Sequence, residues 1–189
     1  MSATTQPKRD GQLDAYYTPD NVARACVGTL GNLRGLACLE PHAGGGAFVR
    51  ALMAAGGIVT ANDIDPNAPG LMGLTVSHVG DFLRTRDMNA QYIEQQWIVG
   101  NPPFNEAGAH VRHALGIATV GVGFLLRLAF LEGAKRRAFW REHPAAEVHV
   151  LVNRPSFTGG GTDSAAYAWM VWRRGVTDTH LRHLDWRAS

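Results

Sequence analysis

Two cysteines, Cys26 and Cys38, in a chain of 189 residues are too few and too isolated for a disulfide framework. No Cys-x-x-Cys pair and no His-Glu-x-x-His spacing occurs, and the eight histidines show no ligand spacing, so no metal site is expected. Nothing in the chain approaches an uninterrupted apolar run of membrane-spanning length, which predicts no membrane partner. The opening stretch from Met1 to Asp14 is polar, carries Lys8, Arg9, Asp10 and Asp14, and has none of the apolar core of a signal peptide. These absences lead to the expectation of a reduced, cytoplasmic protein.

Charge of one sign is also lacking, since the net charge is only +2. The balance is uneven along the chain: residues 1–126 carry 8 Lys/Arg against 10 Asp/Glu, and residues 127–189 carry 10 against 6. A polyanion would therefore lie on the later part, around Lys135, Arg136 and Arg137 or Arg173 and Arg174, unless these are simply solvated charges on a helix face and a strand end. The length suits one domain over 1–189 that buries a core without covalent staples, with 1–15 expected to be flexible. The sequence sets no oligomeric state.

Apolar runs rich in Val, Ile and Leu alternate with helix-like segments, which places the chain in the α/β class with a largely parallel sheet. Helices are expected at Asp20–Leu33, with Asp20 as a cap, at Gly46–Ala55, in a short piece from Pro66, after Asn105, and at Phe130–Arg141. Strands are expected at Leu36–Leu39, Ile58–Ala61, around Leu74–His78, at Trp97–Gly100, Gly121–Arg127, Glu147–Val152 and Ala166–Trp172. The connection Asn153–Ser164, with Gly159-Gly160-Gly161, is either a loop over a site or a plain link. The tail from Thr177 carries no pattern.

The most informative residues are Asn101-Pro102-Pro103-Phe104, directly after the run Trp97–Gly100. Proline fixes φ and has no N–H, so this loop is stiff and rich in acceptors. The Asn101 side-chain oxygen and the Pro102 carbonyl would accept the two hydrogens of an exocyclic amine, and Phe104 would offer a flat face to a planar ring. Taken without its neighbours, the stretch is equally an Asn-Pro turn.

The neighbours point to a nucleoside. Glu40-Pro41-His42-Ala43-Gly44-Gly45-Gly46 follows the first strand and opens a helix. Glycines let the backbone approach a ligand closely, but Glu40 would repel the pyrophosphate that a dinucleotide turn cradles, which argues against an oxidoreductase. S-adenosyl-L-methionine, with its ammonium, sulfonium and no phosphate, suits an acidic turn. In Asn62-Asp63-Ile64-Asp65-Pro66, Asp63 would accept from the ribose hydroxyls and Ile64 pack on adenine. In Gly80-Asp81-Phe82, Asp81 would accept from the adenine amine and Phe82 pack against it. Aspartates at strand ends also cap helices, but three such elements lie at successive strand ends, where open α/β sheets bind ligands.

With Tyr17-Thr18-Pro19 before the first helix, these motifs resemble, in residues and order, the S-adenosylmethionine-dependent DNA amino-methyltransferases, most of all the N6-adenine enzymes in their gamma arrangement. The resemblance implies a class I methyltransferase, Rossmann-like fold: a seven-stranded, mostly parallel sheet with helices on both faces and the last strand antiparallel. It implies Asn101, Pro102, Pro103 and Phe104 as catalytic. The cofactor would lie on Tyr17, Thr18, Pro19, Glu40, Pro41, His42, Gly44, Gly46, Asp63, Ile64, Asp81, Phe82 and Asn101. Phe157 would stack on the base opposite Phe104, with Arg154, Lys135, Arg136 and Arg137 toward a DNA backbone.

The chain departs from that family in one respect: fewer than about twenty residues follow the last expected strand, so no separate target-recognition domain is expected. Selectivity would be short, relaxed, supplied by the 153–164 loop or provided by a specificity partner, as in a phage or mobile-element enzyme. RNA adenine, cytosine N4 and a protein glutamine amide present the same kind of amine. A non-catalytic nucleic-acid-binding protein that keeps the cofactor pocket is the reading from another class.

Overall fold

The computed structural model describes residues 17–84, 94–157 and 163–188. The expectations for 1–15, and for the glycine run at 159–161, lie outside these described residues. The elements run α1 (Asp20–Gly28), β1 (Ala37–Glu40), α2 (Ala47–Ala54), β2 (Ile58–Asp63), β3 (Ser77–Val79), β4 (Trp97–Gly100), α3 (Ala107–Ile117), β5 (Gly121–Arg127), α4 (Arg137–Glu142), β6 (Glu147–Leu151), β7 (Tyr167–Arg173) and β8 (His180–Leu184).

One sheet takes the order β3-β2-β1-β4-β5-β7-β6-β8. β7 is antiparallel to both of its neighbours, and every other pairing is parallel. The mostly parallel sheet with an antiparallel β7 is as expected, but the described residues form eight strands rather than seven. The extra strand comes from the tail: β8 pairs with β6 from Glu147↔His180 to Leu151↔Leu184.

The central strands read as unbroken apolar runs because both their faces are covered. Successive side chains point to opposite faces, so Trp97, Val99, Leu125, Trp169 and Val171 pack under α1 and α2 in one core. Ile98, Phe124, Leu126, Ala168, Met170 and Trp172 pack under α3 and α4 in the other. Cutting the fully buried Leu125 back to alanine would cost about 2–5 kcal/mol. Across the first core, the Trp169 Nε1 donates to Thr29 Oγ1 at 2.9 Å and its ring stacks on Phe48 at 5.6 Å.

Several element ends differ from expectation for identifiable reasons. α1 stops at Gly28 rather than Leu33, where Thr29 Oγ1 donates back to the Cys26 carbonyl and Gly31 takes φ +92°. Asp20 lies inside the helix and pairs with Arg50 at 2.6 Å instead of capping. No helix starts at Pro66; a turn leads to a single 3-10 turn at Pro69–Leu71. Phe130–Arg141 is broken at Gly133, whose φ of +102° ends one 3-10 turn before the next leads into α4. β3 begins at Ser77 rather than Leu74.

Candidate functional site

Parallel strands deliver their C-terminal ends to one edge, and Glu40, Asp63, Gly80 and Asn101 follow or close β1, β2, β3 and β4 there. The loops at this edge are fastened by the buried Asn62, whose Nδ2 donates to the carbonyls of Pro41 at 3.1 Å and Gly80 at 3.0 Å. Sequence reasoning assigned Asn62 no role, because a polar residue inside a strand reads as a local oddity until its two distant partners are seen.

The glycine turn is held by Asp63. Its Oδ2 accepts from Gly44 N–H at 2.7 Å and its Oδ1 from Asp65 N–H at 2.9 Å. Each oxygen keeps a second lone pair, so a ribose hydroxyl remains within its capacity. Gly44 and Gly46 have φ of +45° and +81°, a region that disfavours side chains. Part of the clearance these glycines create is taken by the chain itself: Gly70 N–H donates to the Gly44 carbonyl at 2.8 Å, and the Tyr17 ring lies over Gly44 and Gly45. Arg50, which the sequence did not single out, donates to the Gly45 carbonyl at 2.9 Å.

Glu40 is 1% exposed and accepts the His42 N–H at 2.9 Å. Its carboxyl presses so closely on Gly100 that any side chain at that position would collide with it. Burial first, and then the charge of Asp63, push its pKa well above the usual carboxylate value. A buried acid in this state gains from a cation placed beside it, which is the character expected of its ligand.

Behind the turn, His42 Nε2 shares a hydrogen with His110 Nδ1 at 2.8 Å. Burial, and the mutual repulsion of the pair, hold His42 well below the ordinary imidazole value. Burial lowers His110 to about 4. Phe82, expected against a cofactor adenine, is 2% exposed and turned into this cluster, parallel to His110 at 6.0 Å and edge-on to His113 at 4.6 Å. Ile64, also expected against the adenine, is exposed, and Asp81 is partly exposed.

Asn101 leaves the buried β4, and its Nδ2 donates to Thr18 Oγ1 at 3.2 Å. Its Oδ1 is buried and has no hydrogen-bond partner among the described residues. An orphaned buried acceptor costs roughly 1–3 kcal/mol, a penalty a bound donor would remove. Phe104 is half-buried and meets Tyr167 at 5.5 Å and Phe157 at 6.4 Å, its ring inclined to that of Phe157 by 70°. Phe157 is 7% exposed and packs edge-on to Tyr167, so in this conformation the two phenylalanines leave no parallel slot for a base.

A cleft of about 550 Å³ opens beside this loop, lined among others by Phe104, Asn105, Arg127, Phe130 and Arg136. Lys135 and Arg137 flank Arg136 on exposed backbone, and Arg154 is exposed. Arg173 and Arg174 lie at the opposite sheet edge: Arg173 bonds Glu147 and the Thr29 and Leu30 carbonyls after α1, and Arg174 bonds the Leu115 and Ala118 carbonyls ending α3. This pair closes helix ends. No helix among the described residues is long and apolar enough to cross a membrane, and they hold no metal-ligating group of three.

No protein-family description matches the sequence, and no match to a curated protein was found. Solved structures do match. A candidate RNA methyltransferase of Pyrococcus horikoshii superposes with a TM-score of 0.69 at 15% identity over 92% of each chain. The M protein of the type I restriction enzyme EcoKI gives 0.63 at 13% identity, over 89% of this chain and 46% of its own. A magnesium protoporphyrin IX methyltransferase of Synechocystis, solved with S-adenosylmethionine bound, gives 0.59 at 15%, over 82% of this chain and 78% of its own. The fold is that of the class I methyltransferases. Those neighbours are named for substrates as different as a nucleic acid and a porphyrin, so the substrate has to be argued from the site.

Proposed function

We propose that this protein transfers a methyl group from S-adenosyl-L-methionine to an exocyclic amine of a nucleic acid, the N6 of adenine in DNA. The observation that carries the reading is the buried, unpartnered Asn101 Oδ1 at the end of β4, oriented from its other end by Thr18. The acidic, glycine-rich edge fits the cofactor: Glu40 awaits a cation, Asp63 retains lone pairs for a diol, and Arg50, the cation at the turn, is already engaged by Asp20 and the Gly45 carbonyl. When bound, S-adenosylmethionine supplies an electrophilic methyl on a sulfonium.

The chain's residues would do the rest. The adenine amine is a poor nucleophile because its lone pair is delocalised into the ring. Asn101 Oδ1 and the Pro102 carbonyl accept its two hydrogens and favour the tetrahedral nitrogen that develops during transfer, which is preferential binding of the transition state. No base is needed before attack, since the proton is lost afterwards. Phe104 aligns the base, and because N6 is occluded in a duplex, the base is flipped out or already single-stranded. Arg136, Lys135, Arg137 and Arg154 lie where strand phosphates would pass. RNA adenine is the second reading, favoured by the superposition on the Pyrococcus protein.

The test is transfer from labelled S-adenosylmethionine to unmethylated duplex DNA, single-stranded DNA and RNA, followed by nucleoside mass analysis. N6-methyladenine in DNA is the expected product; product in RNA alone selects the second reading. Cofactor binding without transfer to any of the three would turn the assignment to cytosine N4, a glutamine amide or a missing specificity partner.

A further inference from the structure

Arg127 closes β5 at the same sheet edge as Asn101, in register with Tyr167. Its guanidinium lies 4.8 Å from the centre of the Phe104 ring and beside the Tyr167 hydroxyl. That hydroxyl donates to Asp163 Oδ2 at 2.6 Å. Across the cleft, Arg136 is fixed by the carbonyls of Ala129 and Glu132, both at 3.0 Å, and by the Phe130 ring at 4.9 Å. The ring proposed to receive the base thus carries a cation on its face.

Resting on the amine-methylation reading, we propose that Arg127 determines substrate class. Its guanidinium covers Phe104 until a strand phosphate entering the cleft draws it off, and a base then takes its place. The exchange is favourable only for a phosphate-bearing strand. A cation over a ring at an exposed site is held weakly, whereas a forked guanidinium–phosphate pair is roughly twice as strong as a neutral hydrogen bond. Besides the ring, the Tyr167 hydroxyl and the charge of Asp163 act on Arg127, but among the described residues no carboxylate forms a direct ion pair with it that would rival a phosphate. A free nucleoside or a glutamine amide brings no anion, so the guanidinium stays on the ring and competes with the incoming group. Arg136, already held in place, is the stationary cation toward which the strand is drawn.

The experiment measures binding of a labelled mixed-sequence single-stranded oligodeoxynucleotide across a salt titration, for the wild-type chain and for Arg127→Gln, Arg127→Lys and Arg34→Gln. Arg34 is exposed, away from the cleft. One lost phosphate contact lowers the slope of log affinity against log salt by about 0.7. That loss is expected for Arg127→Gln only. In parallel, methyl transfer to the oligonucleotide and to deoxyadenosine is compared, and the preference for the oligonucleotide should fall about 10-fold or more in Arg127→Gln and recover in Arg127→Lys. An unchanged slope overturns the phosphate contact. A reduced slope with unchanged preference overturns the gating role. A wild-type chain that binds S-adenosylmethionine but no oligonucleotide overturns the nucleic-acid reading itself, and this assignment with it.

Discussion

Asn101 and Thr18 are 83 residues apart in sequence, yet the amide of one donates to the hydroxyl of the other at 3.2 Å. The amide nitrogen is thereby occupied, and the oxygen is left as a buried acceptor with no hydrogen-bond partner among the described residues. Removing the acceptor with Asn101→Ala should lower transfer by about 10²–10³-fold, the scale for losing one preorganised polar group at a reacting centre, with cofactor affinity nearly intact. Removing the orienter with Thr18→Val should cut kcat about 10-fold while leaving the thermal midpoint unchanged. Calorimetric titration alongside the transfer assay separates these outcomes from a merely structural role.

Glu40 yields a prediction in which stability and binding move oppositely. Its folded pKa is raised above the ordinary 4.5, so its contribution to stability is intact below that value and is lost as pH rises toward the folded pKa. Glu40→Gln keeps an oxygen for the His42 N–H and removes the buried charge. Without ligand, the variant should be more stable than the wild type at pH 8, and the difference should vanish below pH 4.5. S-adenosylmethionine should bind it about 10-fold more weakly, the loss expected for one charge-assisted contact. Thermal melts with and without ligand report both effects.

The paired histidines act in the other pH direction. An unfolded chain protonates them near 6.5, whereas folded His110 does so only at about 4, and burial likewise holds His42 well below its ordinary value. The unfolded state therefore binds more protons between those values, and stability is full above pH 6.5 and falls as pH drops toward 4. Urea midpoints measured across this range should decline, and the decline should be shallower in His110→Gln.

Two phenylalanines that touch should fail differently. Phe104 is half-buried on the cleft and Phe157 is 7% exposed. Phe104→Ala should raise KM for a nucleic-acid strand about 10-fold or more, the scale of losing one base stack of 1–3 kcal/mol. Phe157→Ala should chiefly destabilise the fold, by about 3–5 kcal/mol. Denaturant midpoints and initial rates distinguish the two.

What could be read in the sequence follows from what has a local signature. β4, β5 and β7 announce themselves because strands covered on both faces are continuously apolar, and the loop after β4 does so through its prolines. β8 escaped because His180, Arg182 and His183 are exposed at a sheet edge and give no alternation to detect. Arg173 and Arg174 looked like a basic patch since composition does not show that two helix ends point at them. Asn62, His110 and Arg127 act through partners far along the chain, His42 lying 68 residues from His110, and no spacing rule reaches that far. Phe82 sits where a cofactor-facing ring was expected, but the hydrophobic effect and the two imidazoles of α3 turn it inward.

The added strand also bears on how this protein behaves in a crowded solution. An open sheet edge is a row of unpaired N–H and C=O groups that any other extended chain can complete. β8 occupies that row on β6 and is anchored beyond it by Trp186, whose indole donates to the Asn153 carbonyl at 2.7 Å. The edge it presents instead is short and carries His180, Arg182 and His183, side chains that discourage strand-to-strand docking. β8 thus covers a row of backbone groups, and deleting it from His180 onward should leave the Val148 and Val150 backbone as a template for aggregation.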